Sequence, residues 1–170
     1  MRIIGIDPSV NNVGLAFYDT QSHALNTATF HPKRDKDTPI VNVAIQIARY
    51  ITISFLQGRK RPDLAVMEYP QWEDSDRGRM AMQKGYIHNL AFVVGYLCSN
   101  IGLAGSCIYT PTPMQWKKNI PKKAIGIRFT RRFLVDYKTI SDHEFEAAMM
   151  IDWLLAEGQK GTPPPSILGG

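Results

Sequence analysis

Cysteine is nearly absent from this chain: Cys98 and Cys107 are the two present in 170 residues, both among apolar neighbours and without CxxC spacing. That excludes a disulfide framework and offers no thiolate zinc site, so both are expected to be reduced core residues. No run of about 18 uncharged apolar residues occurs, which argues against a membrane-spanning helix. Nor does an apolar signal segment precede Arg2-Ile3-Ile4-Gly5-Ile6-Asp7, and the expectation is a soluble, cytoplasmic protein. Internal repeats are lacking as well. With 44% hydrophobic residues, the length suits one domain with one sizeable core and is short for two.

Acids are the local shortage. Between Lys117 and Lys138 the one acid is Asp136, set against Lys117, Lys118, Lys122, Lys123, Arg128, Arg131, Arg132 and Lys138. Such a stretch is either a phosphate-facing surface or the solvated face of a moderately basic protein, and charge alone does not decide.

What is present reads as an α/β pattern. Residues 2–7 and 13–18 are β-branched and aromatic, joined by Pro8-Ser9-Val10-Asn11-Asn12, whose residue types favour turns. A weaker strand follows at 24–30. From Pro39 to Leu56, Ile40, Val43, Ala44, Ile47 and Ile51 recur at helical spacing, and eighteen residues are too many for an ordinary strand. Leu64-Ala65-Val66-Met67 is short, apolar and flanked by breakers, as a buried strand would be. A helix is expected over about 79–100, a strand at 107–110, a short helix near 122–137 and a last helix to about 157. Ser141-Asp142-His143-Glu144 supplies a capping box for that last helix. The tail 158–170, with Pro163-Pro164-Pro165 and Gly169-Gly170, lacks the apolar content to order itself. Strands and helices in this order make a mixed sheet with helices on both faces.

Carboxylates fall where these elements end. Asp7 closes the first strand and Glu68 a buried later one; an unpaired buried carboxylate is costly, so each needs a cation, a donor or exposure. Asp7 alone would equally suit the start of an Asp-Pro turn, and Glu68 could pair with a local base. On the last helix His143 and Glu146 are three apart and Asp142 and Glu146 four apart, so they share one side of its first turn, in line with Ala147, Met150 and Leu154. Ordinary first-turn acids account for Glu144 and in part for Asp142, but less well for His143 and Glu146. Oxygen ligands from three elements suit Mg²⁺ or Mn²⁺, and two such ions about 4 Å apart serve phosphodiester hydrolysis.

Ile4-Gly5-Ile6-Asp7-Pro8 with Gly14 in the next strand, Ala65-Val66-Met67-Glu68, and His143-x-x-Glu146-Ala147 together resemble RuvC-type Holliday junction resolvases, in order and spacing over residues 1–157. The resemblance implies an RNase H-like nuclease domain over 1–157, with a five-stranded sheet (three antiparallel strands, then two parallel) and a flexible tail at 158–170. It further implies a homodimer that makes paired nicks in four-way DNA junctions. Asp7, Glu68 and Glu146 would be metal-binding carboxylates, with Asp142 a further candidate ligand, and His143 would bind metal or deprotonate the attacking water. The cofactor implied is Mg²⁺, with Mn²⁺ as substitute, two ions per site. Two departures stand out: Glu146 replaces the usual Asp, and the aromatic expected after Glu68 is not at the family's offset.

Candidate DNA contacts are Tyr69, Trp72, Arg77, Arg79, Lys84, Trp116, Lys117, Lys118, Lys122 and Lys123. A stacked base contributes about 1–3 kcal/mol, but Trp72 could equally pack on the sheet edge and Trp116 could anchor the core. Gly85, Ala91 and Gly95 on the long helix would permit close approach of a second copy, with Tyr86, His88, Phe92 and Tyr96 adding interface area; internal packing is the other reading. Three rival functions share these features. An actin-like or sugar-kinase phosphate site would need a second domain. An RNase H acting on RNA–DNA hybrids would use the same acids, and a non-catalytic DNA-binding module would not need them. The short chain and loose motifs lean towards a phage enzyme over a cellular one.

Overall fold

The first strand, β1 (Arg2–Asp7), is buried from Ile3 onwards on both faces, because it lies in the middle of the sheet. β2 (Val13–Asp19) pairs with it antiparallel. In the turn between them, Ser9 Oγ accepts from the backbone N–H groups of Asn11 and Asn12, at 3.2 and 3.4 Å. β3 (Ala24–Phe30) continues the meander. On the other side β4 (Leu64–Met67) and β5 (Cys107–Tyr109) add in parallel. The computed structural model describes residues 1–56, 61–70, 80, 82, 84–117, 122–159 and 166–168.

The expected five-stranded core is therefore present, with one addition. Ser166–Leu168 forms β6, antiparallel to β5, completing the order β3-β2-β1-β4-β5-β6. The sequence reading left this part of the tail without structure. The free backbone donors and acceptors along an edge strand can order a short segment that composition alone would not.

One face of the sheet carries α1 (Ile40–Ile51), extended by a π-helical turn at Thr52–Leu56, and α2 (Tyr86–Leu103). Val43, Ala44, Ile47 and Ile51 of α1 and Val93, Val94, Leu97 and Ile101 of α2 pack against Ile4, Ile6, Leu15 and Met67. The helical spacing read from 39 to 56 thus holds. The long helix begins later than expected, at Tyr86, because Gly85 takes a left-handed conformation (φ 70°) in front of it.

The opposite face carries the short α3 (Pro113–Trp116), α4 (Lys122–Phe133) and α5 (Asp142–Gln159). Their core joins Ile3, Ala16 and Val66 to Phe129, Phe133, Phe145, Ala147, Met150, Ile151 and Leu154. The capping box is made as read: Ser141 Oγ accepts from the Glu144 N–H at 3.2 Å, and Glu144 Oε2 accepts from the Ser141 N–H at 2.9 Å. Ser141 Oγ also lies 2.7 Å from Thr29 Oγ1, which ties the start of α5 to the end of β3.

Two glycines let α5 lie directly on the hairpin. A Cβ on Gly5 would overlap the carbonyl of Ala147, and one on Gly14 would overlap the carbonyl of His143. Gly95, on α2, has nothing within 4 Å of the place a Cβ would take. Gly5→Ala should therefore lower stability by about 2–3 kcal/mol or more, the scale of overpacking. Within a single copy of the chain, Gly95→Ala should raise it by about 0.5–1 kcal/mol, the helix-interior value for replacing glycine. Urea unfolding of the two variants checks this, and changes of the same sign would refute the close-packing account.

Candidate active site

Register brings the first two acids together. Ile6 of β1 is paired with Met67 of the parallel β4, so Asp7 and Glu68, one step further on, leave neighbouring strands side by side. Their neighbours Ile4, Ile6, Ala65 and Met67 belong to the α1–α2 core, so alternation turns Asp7 and Glu68 to the α5 face. The first turn of α5 supplies the other two groups, His143 and Glu146, above them.

The contacts are short. His143 Nδ1 lies 2.6 Å from Asp7 Oδ2, a hydrogen bond whose proton belongs to either group according to ionisation. Glu68 Oε2 accepts from the indole N–H of Trp116 at 2.8 Å. The Lys117 ammonium donates to Glu146 Oε2 at 2.8 Å and lies 3.7 Å from Glu68 Oε2. It also sits 4.8 Å from the centroid of the Trp116 ring.

Charge is held here against burial. Burial raises the Asp7 carboxyl from its ordinary 3.8 to about 7; the charges of Glu146 and Glu68 push the same way, and the hydrogen bond from His143 opposes them. Burial also raises Glu68, with Lys117 and Trp116 pulling it back. For Lys117, burial works against the charge, but Glu146, Glu68 and Asp7 outweigh it and hold the ammonium above its ordinary range. Asp7, Glu68 and Glu146 therefore act on one another as a single acidic centre.

Could such a centre hold a metal ion? Three carboxylates that repel one another, one of them deeply buried, offer the hard oxygen donors a divalent cation takes. Among the described residues no three acidic, His or Cys side chains already stand in ligating geometry; Lys117 stands between two of the acids instead. Asp142 is exposed at the start of α5 and is not among the groups that shift Asp7.

The basic segment is less uniform than its sequence suggests. Asp152, fully buried on α5, binds Arg132 Nε through Oδ1 at 2.7 Å. Arg128 Nε lies 2.6 Å from its Oδ2 as an ion pair without hydrogen-bond alignment. Two cations of the stretch that charge alone left undecided therefore clamp α4 to α5. Of the two readings open for Trp116, the burial of its ring in the α4–α5 core fits the anchor, and its N–H orients Glu68. Tyr69 is 47% exposed and Lys84 is exposed. Lys122 and Lys123 open α4. Trp72, Arg77, Arg79 and Lys118 lie outside the described residues.

Sequence reasoning missed three of these roles. Lys117 was read as a DNA contact and not as a partner of the acids, the Trp116 indole as a partner of Glu68 was not seen, and neither was the Asp152 clamp. The last left a signal: Asp152 is the lone charge between Glu146 and Glu157, and Arg128 and Arg132 are four apart on the helix before it.

The fold defined by this sheet order and by helices on both faces is RNase H-like, as in RuvC. The chain superposes on Thermus thermophilus RuvC in complex with a Holliday junction substrate with a TM-score of 0.74, at 15% identity over 97% of this chain and 99% of that one. A second Thermus thermophilus RuvC structure gives 0.73 at 18% identity, again over 97% and 99% of the two chains. At these identities the likeness is one of fold. No family model matches the sequence, and no curated protein matches it.

The raised Asp7 carboxyl has a consequence for the metal-free protein. Its folded pKa, about 7, exceeds the ordinary 3.8, so ionising it favours the unfolded chain. That cost is absent below about pH 4, grows as pH rises towards 7 and is complete above it. In EDTA, Asp7→Asn should be more stable than wild type at pH 8 and gain little or nothing at pH 4. A difference in urea midpoint that does not grow with pH would contradict this assignment.

Proposed function

We propose that this chain is a structure-selective endonuclease that nicks four-way DNA junctions by metal-dependent phosphodiester hydrolysis, acting as a homodimer. The observation that carries the reading is the gathering of Asp7, Glu68, Glu146 and His143 at one end of the central parallel strands. It stands within a fold that matches RuvC over nearly the full length of both chains. The RuvC in that comparison is bound to a Holliday junction substrate, which favours branched DNA over an RNA–DNA hybrid.

In this reading Asp7, Glu68 and Glu146 hold Mg²⁺ or Mn²⁺, which when bound lowers the pKa of water and stabilises the leaving alkoxide. The rest is the work of the chain itself. Asp7 fixes the His143 ring through Nδ1, so Nε2 is the nitrogen that exchanges a proton with the attacking water. Trp116 fixes the Glu68 carboxylate through its N–H. Tyr69, Trp72, Arg77, Arg79, Lys84, Lys117, Lys118, Lys122 and Lys123 engage the DNA, the cations through phosphates. Arg128 and Arg132 are left out, being engaged by Asp152. No helix among the described residues is long and apolar enough to cross a membrane.

The homodimer would use the outer side of α2. Phe92 is 43% exposed there, Ala91 and Gly95 are exposed beside it, and Phe92 stacks on Tyr96 with ring centroids 6.3 Å apart. Small residues between aromatics allow a second helix to approach closely, which would present two active sites to one junction.

Purified protein and Glu68→Gln should be given a labelled four-way junction, a plain duplex and an RNA–DNA hybrid, each in Mg²⁺, Mn²⁺ or EDTA. Paired symmetric nicks in the junction are expected, abolished by EDTA. Glu68→Gln should slow them at least about 100-fold, the scale of losing one pre-organised electrostatic partner. Cleavage of the hybrid alone would make the protein an RNase H. Tight binding without cleavage in every metal would leave a DNA-binding module.

A further inference from the structure

Lys117 is the one described cation seated among the acids. Its ammonium contacts Glu146 at 2.8 Å and Glu68 at 3.7 Å, and it feels the charge of Asp7. Its position is not incidental. Trp116 beside it is buried and bonded to Glu68, and Trp116 ends a short helix closed by a capping box between Thr112 and Gln115. The side chain is nonetheless 35% exposed, so the ammonium meets solvent on one side and carboxylates on the other.

The geometry points to Lys117 as a tethered counter-ion that competes with the divalent cation for Glu68 and Glu146, so that metal binds weakly until a DNA phosphate draws the ammonium away. This rests on the reading of the acids as a metal centre and adds a control to it. An ammonium on a flexible stem can exchange one oxyanion partner for another with little cost. A phosphodiester at the edge of the centre offers such a partner, and the freed carboxylates then take the ion. Coupling of this kind is reciprocal: DNA raises metal affinity by the factor by which metal raises DNA affinity. The free protein would thereby be kept from loading the ion where there is no substrate to cut.

The test is binding, not turnover. Mn²⁺ alone is titrated into the DNA-free wild type, Lys117→Met and Lys117→Gln at constant ionic strength, with free Mn²⁺ read by electron paramagnetic resonance. Both variants remove the charge; Met keeps the stem and Gln keeps a donor, and circular dichroism establishes that at least one of them is folded. The expected result is Mn²⁺ affinity at least about tenfold tighter in the folded variants, and Glu68→Gln should reverse that gain when combined with either. Equal or weaker affinity in the variants would overturn the counter-ion role while leaving the metal centre standing. Failure of wild type and variants alike to bind Mn²⁺ at millimolar concentration would remove both.

Discussion

Contact between backbone and backbone, where α5 crosses the β1–β2 hairpin, sets how closely His143 and Glu146 stand over the acids at the strand ends. Gly5 and Gly14 have no side chain where the carbonyls of Ala147 and His143 lie. The helix can therefore sit a side chain's thickness closer to the sheet than ordinary packing allows. Only at that separation does the His143 ring reach Asp7, at 2.6 Å. The rest of the interface is arranged to hold the helix there: Ala147 at the point of closest approach, Met150, Ile151 and Leu154 further along, and the Ser141–Glu144 box at its start. Glycine in a strand interior costs stability, and here the cost is offset by the position it gives to the first turn of α5.

The same closeness concentrates negative charge. Desolvation and mutual repulsion leave Asp7 reluctant to ionise, which the His143 hydrogen bond offsets in part, and Lys117 and the Trp116 N–H do the same for Glu68. Asp152 shows the contrast. It is more deeply buried than Asp7, but it faces two arginines. One carboxylate is paired and serves to join α4 to α5; the other is left under tension. Strain of that kind marks chemistry more often than architecture.

The resemblance to RuvC-type resolvases implied the sheet arrangement and a shared site for Asp7, Glu68, His143 and Glu146; the elements themselves, both helix layers and the capping box were legible in the sequence. Periodicity and chain breaks report on them directly, and the ends of strands are where the sheet must deliver side chains. What was not legible depended on partners far apart in the chain. Nothing near Lys117 says that it turns inward to acids 49 and 29 positions away rather than outward with its basic neighbours. Trp116 was undecided for a like reason, since an indole suits a buried anchor and an exposed stacking face equally. Tyr86 was assigned to the apolar band of the long helix and keeps the face of Val93, but it opens the helix two turns ahead of that buried residue and is 53% exposed. Strand β6, paired through Ser166 and Leu168, answers to an edge supplied by β5, which its own composition does not reveal.

Glu68 and the segment that carries Trp116 and Lys117 leave the sheet from one place. Glu68 ends β4, and the next residue, Tyr69, donates its N–H to the carbonyl of Pro111 at 2.9 Å. Pro111 in turn precedes the capped helix that carries Trp116 and Lys117. The segment after Glu68 and the basic segment are thus pinned together at their roots, within reach of the acids. A ligand that pulls on either one pulls on Glu68 through Trp116 and on Glu146 through Lys117. Distant loops could have supplied the same positive charge, but they could not have transmitted its occupancy to the carboxylates. With Lys117 next to the residue that holds Glu68, binding of a phosphate as proposed and the state of the acidic centre would be parts of one equilibrium.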